Sequence, residues 1–161
     1  METTVRPLGN QDIAAFLGLI QALADYEQLA GPDDEARERL TRDAMADPPR
    51  FRVLLAESEG RIVGYAVYLW LYSTFLARPT LYVEDIFILP QERRNGAGRA
   101  LMRELAREAV SEDCGRMEWH VLDWNRSAQE FYSSLGAEQI AEWRLVRLNR
   151  EGLARLAEDW S

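Results

Sequence analysis

The sequence contains no lysine, one cysteine and one histidine among its 161 residues. Each scarcity excludes something. Without lysine there is no Walker phosphate loop, which needs Gly-Lys-Ser/Thr. One Cys and one His cannot supply the four ligands of an ordinary zinc site, so no metal is expected. A lone Cys114 forms no internal disulfide, which suits a reducing cytoplasm. No apolar run nears the roughly 20 residues of a membrane span, since Ile62 to Leu71 is broken by Gly64. No signal-peptide pattern follows Met1-Glu2. Repeats and low-complexity tracts are also missing. Positive charge is scarce, at 19 Arg against 27 Asp+Glu, a net of −8. That balance disfavours nucleic acid and suits a cationic partner.

What remains is an ordinary globular composition, 47% hydrophobic and 29% charged. The length fits one domain, 1–161. Val5 to Leu8 reads as a short strand. A helix follows, with Ile13, Phe16, Leu17, Ile20, Leu23 and Ala24 at helical spacing, ending near Tyr26-Glu27. Asp33 caps a polar helix running toward Met45. Phe51 to Glu57 and Arg61 to Tyr72 read as a hairpin about Glu59-Gly60. Ser73 to Thr80 reads as a loop, and Leu81 to Leu89 as a strand buried on both faces. A helix with Leu101, Met102, Leu105, Ala106, Ala109 and Val110 on one stripe comes next. Arg116 to Leu122 is a predicted strand and Asn125 to Ser134 a helix closed by Gly136. Ile140 to Leu148 is a predicted last strand, and Glu151 to Trp160 a tail helix. The order predicts a layered α/β (α+β) fold with a mixed, mostly antiparallel sheet flanked by helices.

The most informative local feature is the turn between the third long strand and its helix, Arg93-Arg94-Asn95-Gly96-Ala97-Gly98. Glycines allow close backbone approach, and a helix start presents free N–H groups with partial positive charge. Together these suit phosphate. A dinucleotide fingerprint would need glycine at 101, where Leu stands. Arg93, Gly96 and Gly98 do match a coenzyme A pyrophosphate turn, Arg/Gln-x-x-Gly-x-Gly/Ala. A plain strand-to-helix turn using glycine for positive φ fits the same six residues.

Other segments add to this turn. Val5-Arg6-Pro7 leads into a helix ending Tyr26-Glu27. Gly64 to Tyr68 and Leu81 to Ile88 are apolar strand segments. Trp124-Asn125-Arg126-Ser127-Ala128 leads to Phe131-Tyr132 and Leu135-Gly136-Ala137. With these, the whole chain resembles the GNAT acetyltransferase superfamily, and within it the spermidine/spermine (diamine) acetyltransferase-like branch. The loop carries Phe75 where relatives can carry Trp, and Leu135 stands where a basic residue can assist the coenzyme.

The resemblance implies the GNAT acyl-CoA N-acyltransferase fold. It implies transfer of acetyl from acetyl-CoA to a primary amine of a small polyamine, diamine or related amino compound, by direct attack in a ternary complex. Other amine acceptors are the alternatives (a thialysine-like amino acid, an aminoglycoside, a protein amine), followed by an acyl-CoA-binding domain without catalysis. A homodimer is also implied, in the cytoplasm that the cysteine count suits. An alkyl amine titrates near about 10 and arrives protonated, and the resemblance makes Glu84 the base that relays the proton away. Adjacent strand residues face opposite ways, so at most one of Glu84 and Asp85 is expected to face the cleft. Tyr132 matches the group that protonates the leaving thiolate, and as a helix aromatic beside Phe131 it also reads as core. The coenzyme's arm maps onto the backbone of Ile86, Phe87 and Ile88, its pyrophosphate onto N–H groups from Arg94, Asn95, Gly96, Ala97, Gly98 and Arg99. Arg93, Arg94 and Arg99 add charge, though three Arg also read as a solvated patch. Asn125, Ser127 and Ala128 complete the coenzyme side, Asn125 reading equally as a helix cap. Tyr26, Glu27, Glu84, Asp85, Glu118, Trp119 and His120 fall on the acceptor side, where acids and aromatic faces suit an ammonium chain.

Overall fold

The computed structural model describes residues 3–158. The chain divides into two compact units, one ending at His120 and one beginning at Val121.

The first unit is a five-stranded sheet in sequential order: β1 (Thr3–Pro7), β2 (Arg52–Ser58), β3 (Arg61–Ser73), β4 (Arg78–Ile88) and β5 (Arg116–Trp119). Three pairings are antiparallel, and β4–β5 is parallel. This is the mixed, mostly antiparallel sheet that the sequence predicts. Alternation along β2 and β3 sends Val53, Leu55, Tyr65 and Val67 to one face. There they pack with Phe16 and Leu19 of helix α1 (Ile13–Glu27). Helix α3 (Ala97–Ser111) lies against β1 to β4 and buries Ala97, Leu101, Met102, Leu105 and Ala109. Val110, expected on its stripe, is exposed. Helix α2 (Asp34–Ala44) starts where predicted, with the Asp33 carboxylate accepting from Ala36 N at 2.8 Å. Its lack of apolar residues leaves it with no buried side chain.

β4 begins earlier than predicted. Ser73 and Arg78 to Thr80 are strand, not loop. Pro79 is tolerated because the β5 ladder starts only at Thr80, so its missing N–H costs no bond there. Its carbonyl accepts from Gly115 N at 2.9 Å.

The decisive irregularity lies further along β4. Tyr68 pairs with Val83 and Val67 with Asp85, so Glu84 is an extra residue. This is a β-bulge, and it resets the alternation. Val83 shares the face of Tyr68, and Asp85 shares that of Val67. β5 also stops here, its last pair being Val83 with Trp119, three residues short of the predicted Leu122. From Glu84 onward, one edge of β4 has no strand beside it among the described residues. The other edge is held tightly, since a Cβ on Gly64 would meet the Phe87 carbonyl oxygen at 2.6 Å.

The hydroxyl of Thr80, a residue only 2% exposed, has no hydrogen-bond partner among the described residues. Thr80→Val keeps the shape and removes that orphan. It is expected to raise stability by about 1 kcal/mol, seen as a higher urea midpoint at unchanged slope. A lower midpoint would show that the hydroxyl is in use.

The second unit holds α4 (Arg126–Ser134) and α5 (Arg150–Glu158). Gly136, at φ 87°, follows α4 as predicted. Residues 159 and 160 of the predicted tail helix lie outside the described residues. The predicted strand Ile140 to Leu148 is not a strand. Strand geometry needs a partner ladder, and this unit contains no second strand among the described residues. Its apolar pattern is left open, with Trp143, Leu145 and Val146 exposed.

Candidate active site

The end of α1 and the second half of β4 bring the first group together. α1 ends after Glu27, where Gln28 turns left-handed at φ 58°. That ending sets Tyr26 against Phe87, ring centroids 6.0 Å apart. The bulge turns Asp85 to the same face, where the fully buried Tyr65 donates its hydroxyl proton to the carboxylate at 3.1 Å. Burial pushes the Asp85 carboxyl up to about 6; the Tyr65 hydrogen bond opposes this, and the charges of Glu84 and Glu27 add to it. Burial also raises Glu27. Tyr65 is raised by burial and then by Asp85. Glu84, the bulge residue, stays exposed. Only one of the two acids is turned inward, and it is the bulge that makes it Asp85.

A second group lines β4 and β5. His120 Nδ1 lies 2.7 Å from the Tyr82 hydroxyl, with the rings edge-on at 5.9 Å. The Tyr82 hydroxyl is raised by burial, then by Glu84, Asp85 and Glu118. Glu118 is itself paired with Arg116 at 2.5 Å. Trp119 is the last residue of β5.

In the glycine turn, Arg94 and Gly96 both take left-handed backbone, at φ 68° and 88°, before α3 begins at Ala97. Alternation of this kind gathers successive N–H groups into an anion-binding concavity, continued by the unpaired N–H groups of a helix's first turn. Ala97 is buried, Gly98 half-buried, and Arg94, Asn95 and Arg99 are exposed. Ile86, Phe87 and Ile88 lie on the β4 stretch that β5 has left. The Arg93 side chain is turned elsewhere. Its Nε donates to the Ile88 carbonyl at 2.9 Å, and its guanidinium carbon sits 4.4 Å from the Tyr26 ring centre.

In the second unit, Asn125 caps α4, its Oδ1 accepting from Ala128 N at 3.2 Å, with Ser127 in the first turn. Tyr132 lies a turn further on beside Phe131, ring centroids 5.5 Å apart. Burial pushes its hydroxyl up to about 12.

Tyr65 and Tyr82 escaped the sequence reading. Tyr65 had a usable signal: a hydroxyl in an otherwise apolar strand has to find an acceptor. Among the described residues, no group of three or more His, Cys, Asp or Glu side chains is placed to hold a metal ion. No helix there is long and apolar enough to cross a membrane.

The stretch of β4 that β5 has left leads into the glycine turn and helix α3, the turn that carries the resemblance to a coenzyme A-dependent transferase. The model of the acetyltransferase (GNAT) family matches residues 17–137, and the chain belongs to that family. The thialysine N-ε-acetyltransferase of Mus musculus is 32% identical over 96% of this chain and 97% of its own length. The spermidine/spermine N(1)-acetyltransferase-like protein 1 of Homo sapiens is 30% identical over 91% of this chain and 22% of its own. An integron cassette protein from V. cholerae shares the fold, with a TM-score of 0.83 at 24% identity over 99% of both chains. The protein is an acetyl-CoA-dependent N-acetyltransferase acting on amines.

Proposed function

We propose that the acceptor is a small diamine or polyamine, and that acetyl passes to its primary amine by direct attack in a ternary complex. The carrying observation is the half-buried Asp85, held by Tyr65 and electrostatically coupled to Glu27, next in sequence to the exposed Glu84. Buried acids of this kind favour a ligand with more than one ammonium group. Arg93, the cation beside Tyr26, is engaged by a ring and a carbonyl, which argues against its serving an acceptor's carboxylate. The full-length likeness to a thialysine acetyltransferase supports a second reading, a basic amino acid acetylated on its side chain.

In this reading Glu27 and Asp85 hold the distal ammonium, with Tyr26, Glu118, Trp119 and His120 around it. Glu84, open to solvent, takes the proton of the attacking amine through water. The backbone of Ile86 to Ile88 holds the coenzyme's arm, joined by Asn125, Ser127 and Ala128. The N–H groups of 94–99 hold its pyrophosphate. Tyr132 donates to the departing sulfur. A single catalytic domain, 1–161, and a homodimer follow from the resemblance, and a cytoplasmic location from the single cysteine.

The test is acetyl-CoA turnover across putrescine, spermidine, ornithine, thialysine, lysine, an aminoglycoside and a peptide amine. The expected result is the highest kcat/KM on a diamine or polyamine. Preference for thialysine or ornithine by tenfold or more selects the second reading. Turnover on none of them, with acetyl-CoA still bound, overturns the diamine reading and places the acceptor among other amines.

A further inference from the structure

The motif that marks the coenzyme turn begins with Arg93, and by that motif its charge belongs to the phosphates. The geometry gives the side chain another task. Its Nε donates to the carbonyl of Ile88, the last residue of β4, at 2.9 Å. Its guanidinium carbon lies 4.4 Å from the centre of the Tyr26 ring and 5.5 Å from that of Phe87. Those two rings already touch each other. The side chain is half-buried, unlike its exposed neighbours Arg94 and Arg99. One face of the guanidinium is thus spent on aromatic contact, and one donor on the strand end.

Tyr26 is the penultimate residue of α1, beside Glu27, and the helix turns away directly afterwards. Leu23 and Tyr26 pack this end onto the core, while beyond it Leu29 is exposed and the next helix buries no side chain. A cation over an aromatic ring holds both ring and helix end in place. The phosphate task needs no Arg93 side chain, because backbone N–H groups of the turn perform it.

We propose that Arg93 is a positioning residue for the acceptor. It fixes Tyr26, and through it Glu27, to the end of β4, so that the first residue of the coenzyme turn governs amine binding. This rests on the acceptor reading of Tyr26 and Glu27 given above.

The experiment compares Arg93→Gln, Arg93→Lys, Tyr26→Leu and the double variant Tyr26→Leu/Arg93→Gln. It measures KM for each substrate and coenzyme A affinity by calorimetry. Arg93→Gln is expected to raise the acceptor KM about 5- to 10-fold, equivalent to about 1–1.4 kcal/mol. Coenzyme affinity should stay within about twofold. Arg93→Lys keeps the cation and should recover part of the loss. The double variant should bind acceptor no worse than Tyr26→Leu alone, because both remove one contact. A fall in coenzyme affinity with unchanged acceptor KM would overturn the proposal, as would additive losses. If Arg93→Gln does not fold, Arg93→Lys decides by the same split between the two KM values. If the wild type acetylates no amine, the acceptor reading fails by itself. The contact is then read from the Tyr26 ring resonances, which should shift in Arg93→Gln at unchanged coenzyme affinity. Unshifted resonances would sink it.

Discussion

Asp85→Asn is expected to make the protein more stable at pH 7 and much less active. The Asp85 carboxyl titrates at about 6 in the fold, against about 3.9 in an unfolded chain. The folded state therefore holds the proton more tightly, and stability is fully present below about pH 4. It falls as pH rises through 6, where burial opposes the charged form. Asparagine removes this cost and still accepts the Tyr65 hydroxyl through its own oxygen. The gain at pH 7 to 8 is expected to be about 1–3 kcal/mol, or about 2–4 °C in Tm for each kcal/mol. Stability measured at pH 4, 5, 6 and 7 should converge between variant and wild type at the acid end. Activity moves the other way. Losing a charge-assisted bond to an ammonium should lower kcat/KM about 10- to 100-fold. The wild-type limb near pH 6 should vanish with it. A variant less stable than wild type at pH 7, with that limb intact, would mean that Asp85 is a structural acid.

That prediction depends on a feature the sequence does not display. Glu84-Asp85 reads as two neighbours on an alternating strand, with one facing away. The extra residue at Glu84 breaks the alternation, because β3 offers one pairing position fewer than β4 fills. Register belongs to the pair of strands, so neither strand's pattern reveals it. The same break explains why β5 ends at Trp119 while its apolar pattern continues. The elements themselves were legible wherever periodicity, a cap and a breaker agreed, as in α2 with Asp33 and α3 after Gly96. Ile140 to Leu148 shows the converse. Its residues favour a strand, but propensity describes a fit to a neighbouring surface, and none is paired with it here. Arg93 was legible as a motif letter and not as a direction. The reach of its side chain to Tyr26 joins residues 67 positions apart, beyond any local pattern.

Tyr132→Phe is expected to lower kcat about 10- to 100-fold while acetyl-CoA affinity changes less than about twofold. The size follows from acidities. Burial holds the hydroxyl at about 12, so it stays protonated across the working range. The departing thiol titrates near about 8.5. Full proton transfer from so weak an acid to such a thiolate runs uphill by more than three pKa units. The hydroxyl therefore acts by donating a hydrogen bond as charge grows on sulfur, a smaller effect than full protonation of a poor leaving group. The pH profile separates the two roles. A hydrogen-bond donor at about 12 adds no alkaline limb to kcat below about pH 11, and any limb seen there should survive in the Phe variant. A limb between pH 8 and 10 that disappears in Tyr132→Phe would instead require a hydroxyl far more acidic than this burial allows, and unaltered kcat would remove Tyr132 from the chemistry.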